Sequence, residues 1–286
     1  MKENYKIGSI KTFLEKIDDL YKNKKSDENN AIFFRGHFKE SYQLIPSIYR
    51  HENFIKNEDR IFREIISQIP DEFQDSRFTI DRLIKMQHYS VPTRLLDLSK
   101  NPLVALYFAC FDDIEKNDED GEVVVFTLPK NKIKYSDSDT VSLISNIAKR
   151  PFSFTTLNSE HTSYNKEVEK LIFEIKEEKP YFAEAPIIDD LNGIICLRPK
   201  LNNPRVLRQD GYFLLFGIDK LKEKPAKLSS NWFITEDIEK LIINKNKKKH
   251  LLTQLDQLNI NRKTLFPELE SLGKYIKNNY KEGIFA

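Results

Sequence analysis

A chain of 286 residues with 40% apolar and 31% charged side chains can bury a sizeable core, which excludes a disordered or fibrous protein. Its 46 basic and 44 acidic residues leave a formal charge of +2, so composition supplies no general attraction to nucleic acid or membrane. Cys110 and Cys196 both lie in apolar runs and read as buried thiols rather than a disulfide or a metal pair. No run approaches the roughly 18 apolar residues of a membrane span. The start lacks the apolar segment of a signal peptide, so the expected setting is cytoplasmic, with no membrane partner.

In chain order, residues 8–22 predict a helix with Ile10, Phe13, Leu14, Ile17 and Leu20 on one face and Ser9 as N-cap. A polar loop, 23–30, leads to the apolar run Ala31-Ile32-Phe33-Phe34, a buried strand that ends in Arg35-Gly36. Gly36 allows a turn or a close approach to a ligand. Residues 54–69 predict an amphipathic helix, with Phe54, Ile61, Phe62, Ile65, Ile66 and Ile69 inward and Pro70 as the stop. Another helix spans 77–87, and Pro92 disfavours helix at Val91.

Residues 93–99 then read as a short strand or extended segment, in which alternation puts Leu96 and Leu98 on one face and Leu95, Asp97 and Ser99 on the other. Asn101 caps a helix with Pro102 at its first position, and residues 103–111 are apolar nearly all round, as in a deeply buried helix. An acidic loop, 112–121, precedes a strand at 122–128. Residues 130–165 read as mostly irregular or helical, and 171–175 fit a strand or a helix end. Strands follow at 193–197 and 211–216, with a turn at 198–204 between them. Residues 232–235 read as a strand leading to a basic turn at 245–250, and helices are expected at 250–258 and 267–279. The predicted class is α+β, one domain over 1–286, with helical segments at 1–30 and 250–286.

The candidate chemistry centres on Arg35. A buried arginine beside a glycine either forms a structural ion pair or grips an anion, since an unpaired buried charge is costly. Asp97 needs a cationic partner, for which Arg35 and Arg94 are available. His88 and Tyr89 stand at a helix end, and Thr93, Arg94 and Ser99 form a polar set in an apolar frame. His37 and His51, with charged or polar neighbours, read as exposed. The histidines lack zinc spacing, so no metal is expected. Arg205, Gln209 and Gly211 form a polar turn before a strand. Phosphate-loop, dinucleotide and serine-hydrolase motifs are absent from the sequence. A weaker metal-dependent reading would combine Asp97, Glu64 and His88 into a Mg²⁺ nuclease.

Phe34-Arg35-Gly36, then Gln87-His88-Tyr89-Ser90-Val91-Pro92-Thr93-Arg94-Leu95-Leu96-Asp97 with the 101–109 helix, resembles the FRG domain family, named for its Phe/Tyr-Arg-Gly motif. The segments 205–213 and 264–272 extend the likeness across roughly 30–275. The order of motifs is in turn similar to ADP-ribosyltransferases: an Arg-Gly first strand, a strand ending in Ser, a helix, and a late Glu or Gln. That resemblance implies a split, ADP-ribosyltransferase-like sheet with NAD⁺ as a substrate. It makes Arg35, Asp97 and Gln209 the catalytic set, and implies NAD⁺ contacts from Arg35, Gly36, His88, Tyr89, Thr93, Arg94, Ser99 and Arg205. Tyr89 would stack on nicotinamide. Gln209 stands where those enzymes commonly carry glutamate, and it offers hydrogen bonds without negative charge. The implied setting is a bacterial toxin or anti-phage effector that modifies nucleic acid or protein, with an antitoxin or defence partner. The alternative is a non-catalytic module that binds a phosphate ligand or a protein.

Overall fold

Strand alternation sends Phe33 and Phe34 to opposite faces of one sheet, where they join different parts of the core. A computed structural model describes residues 6–24, 29–111, 118–157, 162–182, 188–232 and 241–267. Its strands are β1 (Asn30–His37), β2 (Leu95–Ser99), β3 (Gly121–Pro129), β4 (Ile133–Tyr135), β5 (Ile194–Arg198), β6 (Gly211–Phe216), β7 (Ile218–Asp219), β8 (Leu221–Pro225) and β9 (Leu241–Ile243). Seven of them form one sheet in the order β4-β5-β6-β2-β1-β3-β9, while β7 and β8 make a separate pair. β4 runs parallel to β5, and the other neighbours in the large sheet are antiparallel. With helices α1 (Ile10–Lys24), α2 (Glu52–Lys56), α3 (Glu58–Gln68), α4 (Thr79–His88), α5 (Pro102–Cys110), α6 (Asp139–Asn146), α7 (Thr162–Glu178), α8 (Ile188–Leu191), α9 (Pro204–Arg208), α10 (Lys248–Gln257) and α11 (Arg262–Leu265), the class is α+β with a mixed sheet.

The sheet has a weak seam. β1 pairs with β3 over eight registered positions, from Asn30–Pro129 to His37–Glu122, and β2 pairs with β6 over five. Between β1 and β2 the register holds one pair only, Phe34 with Ser99. Two well-laced halves, β4-β5-β6-β2 and β1-β3-β9, therefore meet at a single cross-strand pair. Beyond it the ends of β1 and β2 are not laced by a ladder, and side chains carry the contact there.

Each half has its own helical cover. Leu95, Ile195, Phe213 and Leu215 pack with Phe62 of α3, Leu83 of α4, Ile144 of α6 and Leu171 of α7. Phe34, Val123 and Val125 pack with Phe13 of α1, Val104 of α5 and Leu251 of α10. Phe33, Leu96, Leu98, Phe126 and Leu214 fill the opposite face together with Trp232. Asn101 caps α5 by accepting from the Leu103 amide at 2.9 Å, and Pro102 opens the helix, as its sequence predicts. Gly36 brings α5 against β1: a Cβ there would stand 2.0 Å from the Ala105 carbonyl oxygen and 2.7 Å from the Ala109 amide nitrogen. The close approach at Gly36 is thus to a helix backbone.

Several expectations are corrected. The 54–69 helix is two helices broken at Asn57, and Phe54, Ile69 and also Leu14 of α1 are exposed rather than inward. Of the two readings open for residues 171–175, the helical one holds: they lie inside α7, with Leu171 and Ile175 buried four residues apart while Phe173 is 65% exposed. The expected polar turn at 205–209 is mostly the short helix α9, with Gln209 at its C-cap. Trp232 ends a 3₁₀ turn, Ser230–Trp232, and is not in a strand. The rest of 232–235, part of the acidic loop and nearly all of the 267–279 helix lie outside the described residues.

Candidate functional site

Arg35 and His37, two residues apart on β1, project from the same face, and that spacing joins their side chains. Arg35 Nε donates to His37 Nε2 at 3.0 Å, and NH1 donates to the Asp97 main-chain carbonyl at 2.8 Å on β2. NH1 also stands 3.6 Å from the Asp97 carboxylate. Side chains thus bridge β1 and β2 just beyond the single ladder pair. Burial lowers the Arg35 pKa to about 10, the Asp97 carboxylate raises it, and the nearby Arg50 charge lowers it further. The guanidinium remains a cation at neutral pH.

Asp97 is held in turn from α4. Gln87 Nε2 donates to its Oδ2 at 2.9 Å, and Thr93 Oγ1 donates to Gln87 Oε1 at 2.6 Å. Thr93 is itself buried, and its backbone N–H donates a hydrogen bond to Ser47 Oγ at 3.1 Å. A relay from Thr93 through Gln87 orients the carboxylate while leaving it half exposed. At the end of β2, Ser99 Oγ donates to the Gln209 carbonyl at 2.7 Å and ties that strand to the end of α9. Gln209 Nε2 donates to the Leu265 carbonyl at 3.1 Å. Arg205 NH1 donates to the His88 carbonyl at 2.9 Å, and its guanidinium lies 4.4 Å from the centre of the Phe266 ring.

These groups surround one cleft of about 370 Å³. Arg35, Gly36, Asp97, Ser99, Arg205 and Gln209 all line it, so the three residues read as the catalytic set share one space. An adjoining recess of about 40 Å³ shares Gln87, Asp97, Arg205 and Gln209 with the cleft and adds His88 and Asn203. The wall also includes Ser90, whose φ of 61° places a non-glycine residue in the left-handed region. Asp97 is the only carboxylate among the described residues that line the cleft, against Arg35, Arg50 and Arg205. The lining is therefore cationic, as an anionic ligand requires.

The remaining expected contacts are placed elsewhere. Arg94 is fully buried away from the cleft: Nε and NH2 pair with Glu58 at 2.9 and 2.5 Å, and NH1 donates to the Phe216 carbonyl at 2.9 Å. Lys222 joins the same carboxylate at 3.1 Å. Burial alone would raise the Glu58 carboxyl, but the two cations outweigh it and hold it below the usual range. Arg94 thus takes the structural ion-pair role. Tyr89 is 52% exposed, lies flat on His88 with ring centres 5.1 Å apart, and does not line the cleft. Phe108 supplies an aromatic wall there instead. Thr93 acts through Gln87 and not on the cleft itself, and Glu64 is outside it.

Three contributors are not in the expected set. His37 reads as exposed from its neighbours in sequence, yet it is 2% exposed, and its place two residues after Arg35 on a strand is the signal that could have found it. Gln87 belongs to the same motif block as Asp97. Arg50, at the end of the 3₁₀ turn Ser47–Tyr49, carries no sequence signal beyond its charge.

Comparison with protein families matches residues 30–119 to the FRG domain. The chain carries an FRG domain. The matched segment runs from β1 past α5, so it contains Arg35, Gly36, Gln87 and Asp97, the seam between β1 and β2, and the helix that Gly36 admits. Arg205 and Gln209, which close the cleft on its far side, lie C-terminal to the matched FRG segment. No curated protein and no solved structure matches the chain.

Proposed function

We propose that the FRG cleft binds NAD⁺ and that the protein is an ADP-ribosyltransferase-like enzyme. The observation that carries this reading is the meeting of Arg35, Asp97 and Gln209 in one cleft whose other charged lining residues are Arg50 and Arg205. Guanidinium groups grip phosphate oxygens through paired N–H donors, and a pyrophosphate offers several such oxygens within reach of more than one arginine. Among the described residues Arg35 donates from Nε and NH1, which leaves NH2 for the ligand. The Gln209 amide nitrogen is engaged by Leu265, which leaves its oxygen to accept from a ribose hydroxyl. Phe108 offers an aromatic wall to a flat ring.

In this reading the bond from ribose C1′ to the nicotinamide nitrogen breaks, and both electrons leave with nicotinamide. Positive charge develops on the ribose, and the Asp97 carboxylate supplies the opposite charge that the uncharged Gln209 lacks. A nucleophile of the target, nucleic acid or protein, then bonds to C1′ and gives up its proton. The setting is a bacterial toxin or anti-phage defence effector that works with a partner protein. Incubation with NAD⁺ labelled in its adenylate part, with and without cell lysate, tests the reaction. Nicotinamide release and a labelled macromolecule, both lost in Arg35→Ala, support it. Absence of both from the folded wild type overturns it.

A second reading, recognition of a phosphate ligand without turnover, draws on Gln209, whose position carries no charge and whose amide is committed to Leu265. Here ADP-ribose or NAD⁺ raises the melting temperature while no nicotinamide is released.

A further inference from the structure

Arginine has only donors, so the 3.0 Å bond from Arg35 Nε fixes the chemistry of its partner: His37 Nε2 must be unprotonated and must accept. A neutral His37 therefore carries its proton on Nδ1. That atom is buried and makes no hydrogen bond among the described residues, and Glu122 Oε2 on β3 lies 3.9 Å away. The ring is boxed in by Arg35 on its own strand, by Glu122 across the ladder and by Tyr42, whose ring centre is 6.0 Å off. The fold thus leaves one histidine nitrogen underused while the other holds the residue at the centre of the cleft. An imidazole kept only for packing has no need to face an arginine.

We propose that His37 is a positioning residue: as the Nδ1–H tautomer it locks the Arg35 guanidinium so that NH2 is presented to an anionic ligand. The inference rests on reading Arg35 as the ligand-gripping residue. Its geometric basis is the hydrogen bond, the shared strand face and the orphaned Nδ1. Burial, and then the charges of Arg35 and Arg50, push the His37 pKa down to about 3, in keeping with a ring that stays neutral. Protonation at Nε2 would remove the acceptor and set two cations against each other, so the lock exists only in the neutral form.

Ligand-free NMR of protein labelled at histidine and arginine nitrogens tests the lock directly. The expected result is a His37 ring with Nε2 unprotonated from pH 5 to 8, together with an Arg35 Nε–H protected from exchange and unprotected in His37→Leu. A His37 that carries its proton on Nε2, or an Arg35 Nε–H equally protected in folded His37→Leu, overturns the proposal. Where His37→Leu does not fold, the pair His37→Gln and His37→Asn decides. The Gln oxygen reaches the place of Nε2 and keeps the protection, while the Asn oxygen reaches that of Nδ1 and loses it. Equal behaviour of the two overturns the lock. ADP-ribose titration should show about tenfold weaker binding for Asn than for Gln, the scale of one hydrogen bond to a charged group. A wild type that binds no ADP-ribose counts against the function, and the NMR result still decides the positioning.

Discussion

Arg35 donates to the main-chain carbonyl of Asp97 at 2.8 Å and stands 3.6 Å from that residue's carboxylate, so one guanidinium meets β2 at backbone and side chain together. The contact lies where β1 and β2 have only the Phe34–Ser99 pair to hold them. A charged side chain thus takes over from the ladder at the point where the cleft opens. Arg35 has both a structural and a cleft-facing side, and its variants are expected to separate the two.

Arg35→Lys keeps the charge but cannot serve His37 and Asp97 at once with a planar fork. Affinity for ADP-ribose, measured by calorimetry, should fall by about tenfold or more, the value of one strong charged hydrogen bond. The melting temperature should move by only a few degrees, about what a loss near 1 kcal/mol gives in a protein of this size. Unchanged affinity would remove Arg35 from the binding site.

Gly36→Ala tests the packing behind the cleft. The added Cβ meets backbone atoms of α5 at 2.0 and 2.7 Å, so relief requires the helix to move off the strand. A cost of about 3 kcal/mol or more is expected in urea unfolding, the upper end of overpacking effects. A variant as stable as the wild type would show that α5 and β1 are not so closely apposed.

Glu58→Ala leaves Arg94 and Lys222 buried without their shared carboxylate. Breaking a buried ion cluster from one side costs about 3–5 kcal/mol, which chemical denaturation can read. Glu58→Gln should be milder, because its amide oxygen still accepts from Arg94. The cleft residues are not part of this cluster, so ligand affinity in any folded fraction should be retained.

The pH dependence of stability carries a signature of His37. Its folded pKa, about 3, lies below the ordinary 6.5, so between these values the unfolded chain binds a proton that the folded chain refuses. The contribution is complete above about 6.5 and is lost progressively as pH falls toward about 3. In His37→Gln it is absent. The plot of unfolding free energy against pH should therefore be less steep for this variant than for the wild type between pH 6.5 and 4. Carboxylates such as Glu58 titrate in both proteins and cancel in the comparison. Equal slopes would contradict a buried neutral His37.

The sequence made the longer apolar elements legible because their periods are unambiguous. β1, β3, β5, β6 and the capped α5 stand close to where alternation and the Asn101-Pro102 signal put them. β4 and β9, of three residues each, and α9, of five, are too short to show a period. Residues 171–175 fit a strand as well as a helix end because apolar residues adjoin in sequence, and the burial of Leu171 and Ile175 against the exposed Phe173 decides for the helix. Arg35, Asp97 and Gln209, which line the same cleft, are the residues that motif and resemblance single out. Arg94 sits in the same motif as Asp97, and nothing in that motif separates it from the cleft. Its fate depended on a carboxylate 36 residues away at Glu58. Burial of His37 likewise depends on β3, which no local pattern around His37 specifies.

Whether Arg35, Asp97 and Gln209 together bind NAD⁺ can be read from a crystal of the protein soaked with ADP-ribose. Ligand density is expected in the cleft between β1 and α9, with a phosphate oxygen within hydrogen-bonding distance of Arg35 NH2 and a ribose hydroxyl at Gln209. Density at another site, or a cleft that stays empty at saturating ligand, would contradict it.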